Sequence, residues 1–419
     1  MGAGLALVGL MGMAIVVPRP VRPPAEAYVE PDVEATNGAI DWFEERLAGD
    51  PTNTLLAAHL ASRYVRRFQL VADMRDVARA EALARRILPL SRDRGRAWAR
   101  LSGVLLARHA FGEALAAARE AVAQGPRDMD AWGALYDAAF AAGKYAEAER
   151  ALTRLEPGVG RRVREALWLE ARGETDRAAA RLGEACRSMF QPGRRRPLAW
   201  CLTELGHLEL RRKGPRAAAV LYAAALEALP GYREAVEGLA DLAYARRDWG
   251  EAKRLYRRIA VDAHPDLYLR LAEIRRLEGD VQAAERWQKE FLRVATAPGA
   301  EPLHAHPLAL LWAEHAETRD AALAVALRDV GRRPTIQSWD VLAWVRFRRG
   351  EFGAALAASD RAFAWGVPSP TMEYHRGRIL QALGFGADGD RLIASALAQR
   401  ALLEPHLRLE LDPPDPAPR

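Results

Sequence analysis

The chain has 419 residues, of which half are hydrophobic, and a formal net charge of +6. Its two cysteines exclude a disulfide framework and a structural zinc site built on four thiolates. The positive charge is compatible with nucleic acid or anionic membranes, but Arg and Glu are interleaved and no basic arm stands out. We therefore expect solvated helical surfaces and no nucleic-acid partner.

Alanine and arginine dominate the composition, whereas only four of the 61 basic residues are lysine. Both residues are strong helix formers, and the same bias is typical of a GC-rich bacterial genome. β-branched residues are sparse, which argues against a large sheet. The composition therefore predicts a helical, bacterial protein.

The N-terminal segment 1–17 is predicted to be a hydrophobic signal or membrane anchor. Its uncharged, apolar run of sixteen residues is short for a bilayer span of about 20 residues but suits the core of a secretory signal, and Ala25–Ala27 resembles a cleavage site. Arg19 and Arg22, however, follow the run instead of preceding it. We expect export or membrane tethering at the cell envelope, with a cytoplasmic location as the alternative. Cleavage of residues 1–27 and the orientation of an uncleaved anchor stay open.

Prolines delimit the predicted folded part. Residues 18–36 form a Pro-rich linker, and residues 404–419 form a Pro-rich C-terminal tail whose prolines prevent helix propagation. The helical array is therefore predicted to span residues 37–403, which leaves no second domain for catalysis.

An internal repeat runs through this array. Three pairs of residues lie 34 positions apart: Trp98 and Trp132, Ala114 and Ala148, Ala355 and Gly389. A glycine recurs with a small residue five positions later: Gly143/Ala148, Gly173/Ala178, Gly214/Ala219, Gly279/Ala284, Gly350/Ala355 and Gly384/Gly389. Glycine ends a helix in the left-handed conformation, and the small residue allows two helices to approach. Apolar stripes at helical spacing on both sides predict helical hairpins that stack on their neighbours.

The repeat resembles the tetratricopeptide repeat (TPR). The residues that match the TPR spacing are Trp98, Leu101, Leu105, Ala114, Ala118, Ala121 and Pro126. Similar repeats begin near Asn53, Gly95, Met129, Arg161, Pro197, Tyr232, Pro265, Pro302, Ile336 and Pro370. The unit after Pro302 has Thr318 in place of the turn glycine. The resemblance implies an all-α, right-handed superhelical solenoid of stacked antiparallel helix hairpins, whose first helices line a concave groove for peptides or proteins.

Alignment of the repeats predicts which side chains line that groove. They are Asp130, Asp137, Phe140, His207, Glu234, Glu237, Asp241, Tyr244, Leu269, Glu273, Asp340, Trp344, Phe347, Tyr374 and Arg378. The central part is acidic and the C-terminal part aromatic, which suits a protein or peptide with a basic segment and an apolar anchor. The alternative is that these are ordinary solvated helix faces, with the aromatic side chains buried by packing. Asparagine is absent after Asn53, which disfavours the TPR subclass that clamps chaperone C-termini.

Motifs for catalysis and metal binding are absent from the sequence. There is no Gly-rich phosphate loop, His-Glu-x-x-His or Gly-x-Ser-x-Gly, so we expect no enzyme activity and no cofactor. His304, His306 and His315 are clustered, but no carboxylate or thiol has convincing ligand spacing beside them. Cys186 and Cys201 are either small buried hydrophobes or, in an exported chain, a disulfide.

The sequence therefore favours an interaction scaffold or adaptor that binds a partner protein or extended segment in the concave groove. The alternative is an accessory or regulatory subunit of a cell-envelope enzyme or assembly.

Overall fold

In the computed structural model, the described residues are 6–10, 13–17, 32–191, 193–259, 264–364 and 369–399, together with Leu403, Leu407 and Leu411. Two short antiparallel strands, β1 (Ala6–Leu10) and β2 (Met13–Val17), lie in the predicted signal or anchor segment, with Ala6 opposite Val17. Among the described residues, no helix combines the length and apolar character that a membrane crossing requires.

Twenty-one α-helices follow within the described residues. They are α1 (Val33–Gly49), α2 (Thr54–Val71), α3 (Met74–Ile87), α4 (Arg94–Ala107), α5 (Phe111–Gln124), α6 (Met129–Ala141), α7 (Tyr145–Arg154), α8 (Val159–Ala171), α9 (Thr175–Met189), α10 (Arg195–Lys213), α11 (Pro215–Ala228), α12 (Arg233–Ala245), α13 (Trp249–Ile259), α14 (Asp266–Leu277), α15 (Val281–Ala295), α16 (Glu301–Ala313), α17 (Arg319–Arg332), α18 (Ile336–Arg348), α19 (Phe352–Phe363), α20 (Pro370–Ala382) and α21 (Gly386–Ala398).

The chain divides into two compact units. Unit 1 comprises Met1–Asp32, Glu165–Glu170 and Glu174–Ala260, and unit 2 comprises Val33–Arg164, Ala171–Gly173 and Val261–Arg419. Inside each unit the helices pack as antiparallel hairpins, such as α10 with α11 in unit 1 and α18 with α19 in unit 2. The first helix of one hairpin also contacts the first helix of the next hairpin, as α10 contacts α12 and α16 contacts α18. This is the packing expected of stacked TPR-like hairpins.

The predicted repeat boundaries are confirmed. The ten first helices, α2 and every even-numbered helix to α20, begin at or within two residues of the predicted repeat starts. α1 begins at Val33, inside the predicted linker 18–36, and packs against α2.

The predicted turn glycines are also confirmed. All six have positive φ: Gly143, Gly173, Gly214, Gly279, Gly350 and Gly384. The predicted partner of Gly214 is wrong by one residue, because α11 begins directly after Gly214 and buries Ala218 completely instead of Ala219. Thr318, which replaces a turn glycine, ends a short 3₁₀ turn (Ala316–Thr318), and its hydroxyl donates to the carbonyl of Trp312 at 2.7 Å.

Unit 2 contains contacts between hairpins that are far apart in the sequence. The backbone amide of Ile336, at the start of α18, donates to the hydroxyl of Tyr145, at the start of α7, at 3.3 Å. Beside it, Gly143 touches the backbone of Pro334, where an added Cβ would lie 2.5 Å from the carbonyl oxygen. Hairpins of unit 2 therefore also make contacts beyond their sequence neighbours, in addition to the predicted stacking.

The turn between α4 and α5 makes a second contact of this kind in unit 2. The Nδ1 atom of His109 lies 3.1 Å from the carbonyl oxygen of Pro302, and the guanidinium of Arg333 lies 5.2 Å from the ring centre of Phe111. Burial lowers the pKa of His109 below its ordinary value. Hairpins from the N-terminal and C-terminal segments of unit 2 are thus joined by polar and aromatic contacts.

Candidate partner-binding faces

The acidic residues predicted for the centre of the groove share one face of unit 1. Glu234, Glu237 and Asp241 recur at helical spacing along α12, which brings their side chains to one side, and His207 lies on the neighbouring α10. Burial disfavours the charged form of His207, but the carboxylates of Glu204, Asp241 and Glu237 outweigh this effect and raise its pKa above the ordinary value. We call Glu204, His207, Glu234, Glu237 and Asp241 the acidic face.

Internal partners organise this acidic face. Arg233 donates to Glu234 at 2.8 Å and to Glu237 at 3.1 Å. Asp241 accepts a hydrogen bond from the hydroxyl of Tyr256. Arg233 thus pairs with two carboxylates of its own helix, and Tyr256 binds the third.

A buried tyrosine supports the acidic face from behind. The ring of Tyr222, on α11, fits against Gly206 of α10 and Gly238 of α12, where an added Cβ would lie 2.5 Å and 2.7 Å from ring atoms. His207 meets the same ring edge-on, with 5.5 Å between the ring centres. This wedge was not predicted, although a glycine inside each of two consecutive first helices is a signal of such a close approach.

Tyr244 does not belong to this surface. Its side chain is buried and packs edge-on against Trp249 at the turn between α12 and α13, with 5.0 Å between the ring centres. The helical spacing placed it correctly on α12, but the turn covers it.

The predicted N-terminal groove residues differ in their surroundings within unit 2. Asp130 is 70% exposed and lies 3.5 Å from Arg96. Asp137 is held by both Nε and Nη2 of Arg164, at 2.9 Å and 2.6 Å. Phe140 stacks on Tyr136 with 5.6 Å between the ring centres. Asp130 is therefore the most accessible of the three predicted residues.

The predicted C-terminal residues form a layered aromatic cluster in unit 2. The imidazole of His375 stacks on the indole of Trp344, with 4.2 Å between the ring centres, and its Nδ1 atom lies 3.0 Å from Oδ2 of Asp340. The ring of Phe347 also stacks on the indole of Trp344, with 4.9 Å between the ring centres. The indole nitrogen of Trp344 donates to Glu314 at 3.2 Å. Only Phe347 of these rings keeps partial exposure.

Several predicted groove residues are buried: Tyr244, Glu273, Asp340, Trp344 and Tyr374. For the aromatic residues this agrees with the alternative of burial by packing. Leu269 and Arg378 are partly exposed, and Arg378 donates to the hydroxyl of Tyr374 at 2.9 Å. Contact of these residues with a partner stays a prediction, and the buried ones can reach a partner only after a rearrangement.

Three leucines that follow α21 belong to or pack against the aromatic cluster. Leu403 and Leu407 are buried with Trp344 and Tyr374 in one apolar cluster, and Leu411 packs against it. Leu407 and Leu411 lie inside the predicted Pro-rich tail 404–419, so the ordered contacts of unit 2 extend beyond the predicted boundary at residue 403.

A histidine, an aspartate and a serine meet near the start of α18. The Nε2 atom of His306 lies 2.8 Å from Asp329 and 3.2 Å from Ser338. A Ser–His–Asp relay needs the two ring nitrogens to face different partners, whereas here one nitrogen faces both. Burial by itself would raise the pKa of Asp329, but His306 and Arg333 outweigh it and lower the pKa to about 2. The arrangement is a structural ion-pair network.

The predicted histidine cluster is divided between different surroundings. His304 lies 3.7 Å from Asp266, whereas His306 belongs to the network with Asp329 and Ser338. Within the described ranges, no three His, Cys, Asp or Glu side chains come together as a metal site.

The two cysteines are paired. Cys186 of α9 and Cys201 of α10 form a disulfide inside unit 1, with 5.5 Å between their Cα atoms. Both residues are buried. The sequence left open whether they are unpaired small hydrophobes or a disulfide, and in the structure they form the disulfide.

No family model matches the chain, and no curated protein is similar to it. Among solved structures, the human IFIT1 dimer with PPP-AAAA is 14% identical with a TM-score of 0.48, and the match covers 77% of each chain. A tetratricopeptide repeat protein from Parabacteroides merdae is 16% identical with a TM-score of 0.31, over 59% of this chain and 98% of the other. Yeast Tom70 is 13% identical with a TM-score of 0.39, over 91% of this chain and 96% of the other.

These similarities concern the fold alone. The assignment of the fold rests on the stacked hairpins and on the turn glycines with positive φ. The chain is a helical repeat protein of the TPR type, with a TPR-like solenoid fold.

Proposed function

We propose that this protein is an interaction scaffold that binds a basic, extended segment of a partner protein on the acidic face of unit 1. The observation that carries the proposal is the convergence of Glu204, Glu237 and Asp241 on His207, which raises the pKa of that histidine. Carboxylates that favour the protonated form of this histidine would also stabilise a partner's Lys or Arg. The absence of a nucleic-acid partner stays a prediction.

The test uses the full chain and a fluorescent peptide of alternating arginine and alanine as the probe. Glu234→Gln with Glu237→Gln removes two charges from the acidic face at nearly constant shape. We expect the affinity to fall at least fivefold at low salt, and the difference to shrink as salt screens the charges.

The matched control is Glu227→Gln with Glu251→Gln, which removes two charges from the second helices α11 and α13 of the same hairpins. This variant should bind the peptide as the unchanged chain does. Equal losses in both double variants would mean that the peptide senses only net charge, and the proposal would be wrong.

For its location, we propose that the chain works at the cell envelope, where it is exported or membrane-tethered. The Cys186–Cys201 disulfide supports this, because such bonds persist in oxidising compartments and are rare in the cytosol. Fractionation of cells, with alkylation of free thiols before lysis, tests it. Recovery of the chain in the cytosolic fraction with both thiols alkylated would contradict it.

The accessory-subunit reading is the second candidate, and the same envelope location suits it. Affinity purification of the full chain from its own cells separates the two. Recovery of a single stoichiometric enzyme favours the accessory subunit, and recovery of several clients with basic segments favours the scaffold.

A further inference from the structure

The turn between α4 and α5 has a histidine where six other hairpins have a glycine. His109 has a φ of 59°, close to the 67° of Gly143 in the next hairpin. The two residues close the same kind of turn, because the amide of His109 donates to the carbonyl of Leu106 as the amide of Gly143 does to that of Phe140. A side chain in this left-handed conformation costs free energy that glycine avoids. The presence of an imidazole here therefore points to a role for the side chain.

That imidazole lies where early and late hairpins of unit 2 meet. Its Nδ1 atom is 3.1 Å from the carbonyl oxygen of Pro302, near the start of α16, and its ring centre is 5.2 Å from that of Phe111. The guanidinium of Arg333, at the end of α17, lies on the same aromatic ring. We use the term seam for the contacts that His109, Phe111, Gly143 and Tyr145 make with Pro302, Arg333, Pro334 and Ile336.

The hydrogen bond to Pro302 fixes where a second proton on the ring would go. A carbonyl oxygen can only accept, so Nδ1 of His109 carries the hydrogen and a further proton binds at Nε2. Burial opposes that proton, as do the positive charges of Arg333 and His304. The bond to Pro302 and the carboxylate of Asp329 favour the proton but do not offset these effects, so the pKa of His109 is lowered.

The charges around His109 are already engaged with other partners. The carboxylate of Asp329 lies 2.8 Å from Nε2 of His306 and accepts a hydrogen bond from Nε of Arg333 at 3.0 Å. On the early hairpins, ion pairs join the neighbouring charges to one another: Arg108 with Glu81 and with Glu113. A proton on His109 would therefore add a positive charge beside Arg333 that these carboxylates only partly balance.

We propose that the seam of unit 2 is a pH-sensitive switch and that His109 is its trigger. At neutral pH the uncharged ring donates to Pro302 and the seam is closed. In mild acid the ring gains a proton at Nε2, and the seam opens because the imidazolium and Arg333 repel each other. The switch uses no residue of the acidic face of unit 1, so this proposal and the proposed function can fail independently.

The direction of the switch follows from the linkage between proton binding and opening. In the open seam the ring of His109 is solvated and titrates near its ordinary pKa of 6.5, whereas the closed seam holds that pKa lower. The open form therefore binds the proton more strongly, and acid shifts the population towards it. For one proton, the ratio of open to closed seam rises by up to about tenfold between pH 7.5 and 5.5.

The backbone amide of Ile336 reports the state of the seam. Ile336 is the first residue of α18, where a helix offers its amides no backbone acceptor, and its amide donates across the seam to Tyr145 at 3.3 Å. Hydrogen exchange of the full chain, corrected for the intrinsic rate at each pH, measures how often this amide is released. We expect its protection to fall several-fold from pH 7.5 to 5.5. The amide of Met372, which donates to Ser369 at the start of α20, should keep its protection.

His109→Asn removes the titration and retains the geometry, because an asparagine amide can donate to Pro302 and asparagine tolerates a left-handed turn. In this variant the protection of Ile336 should be equal at the two pH values. His59→Asn is the matched control, because His59 is an exposed histidine of α2 in the same unit, where it stacks on Phe43. Its loss should leave the fall in protection unchanged.

Three results would overturn the proposal. The first is equal protection of Ile336 at both pH values in the unchanged chain. The second is a fall of the same size in His109→Asn. The third is loss of the fall in His304→Asn, which would make His304 the trigger. If His109→Asn does not fold by circular dichroism, an NMR titration of the His109 ring in the unchanged chain decides, and a midpoint at or above pH 6.5 would contradict the proposal.

Discussion

The hydroxyl of Tyr145 accepts a hydrogen bond from the backbone amide of Ile336, which lies 191 residues further along the chain. In an open solenoid each repeat contacts only its neighbours. Here the first residue of α7 holds the first residue of α18 within unit 2, and the adjacent contact between Gly143 and Pro334 leaves no room for a side chain.

The Gly143 contact can be separated from the ordinary cost of a turn glycine. Gly143 and Gly279 both have positive φ, 67° and 79°, but only Gly143 has a backbone within 4 Å of its added Cβ. An alanine at either turn costs about 1–2 kcal/mol in backbone strain. We expect Gly143→Ala to cost at least about 2 kcal/mol more than Gly279→Ala, because Pro334 must move.

Thermal unfolding of both variants measures this difference, and the Gly143 variant should melt several degrees lower. Equal melting temperatures would show that the long-range contact contributes nothing to stability.

Local patterns made most of the fold predictable. The positive φ values follow from glycine at the turns, and the hairpins follow from apolar stripes such as the one through Trp98 and Leu101. The contact between Tyr145 and Ile336 was not predictable, because no periodicity links residues 191 positions apart. Its physical basis is shape complementarity, which a repeat alignment does not contain.

The surroundings of Asp130 and Asp137 predict different consequences of mutation. Arg164 holds Asp137 with two hydrogen bonds, whereas Asp130, on the same helix, is 70% exposed. We expect Asp137→Ala to lower the free energy of unfolding by about 1 kcal/mol, allowing for its partial exposure. Asp130→Ala should change it by less than about 0.5 kcal/mol. Urea titrations compare the two, and a larger effect at Asp130 would contradict the assignment.

The candidate sites were only partly predictable. Helical spacing identified Glu234, Glu237 and Asp241 as one face, because residues on one helix keep their order whatever surrounds them. It could not show that Trp344 and Tyr374 are buried, because they pack in one cluster with residues from later in the chain, such as Ala396, Leu403 and Leu407.

The network around Asp329 should make stability depend on acid pH. Its pKa falls from 3.8 to about 2 on folding, so the folded state favours the ionised form. The resulting stabilisation, roughly 2 kcal/mol, is present above about pH 4 and is lost as the pH falls towards 2. Asp329→Asn should remove this pH dependence of stability. Asp320→Asn, at an exposed position of the same helix, should leave the pH dependence unchanged.

Urea midpoints between pH 2 and 5 test this expectation for the unchanged chain and both variants. A constant difference between the unchanged chain and Asp329→Asn across this range would contradict it.

The disulfide should stabilise unit 1. It closes a loop over a sequence separation of 15 residues, for which the chain-entropy estimate is about 3 kcal/mol. We expect reductant to lower the urea midpoint of the transition that includes α9 and α10. A chain with Cys186→Ala and Cys201→Ala should unfold at the lower midpoint with or without reductant, and a response of this variant would point to another cause.

Binding at the acidic face should depend on the protonation of His207. Since its pKa is raised, the ring is protonated below that pKa and opposes a basic ligand. The affinity for the arginine peptide should rise roughly threefold as the pH increases through this value, which is the effect of one charge at about 7 Å in water. NMR titration of the His207 ring gives the midpoint. Glu204→Gln should lower it, and His207→Asn should abolish the pH dependence of binding.

The bond between Tyr145 and Ile336 also constrains biosynthesis. At about 5–20 residues per second, a ribosome needs roughly 10–40 seconds to make the 191 residues that separate them. During that interval Tyr145 and the rim around Gly143 have no Pro334 or Ile336 to contact. The early hairpins therefore emerge with a surface whose backbone partners are supplied only when the late hairpins arrive.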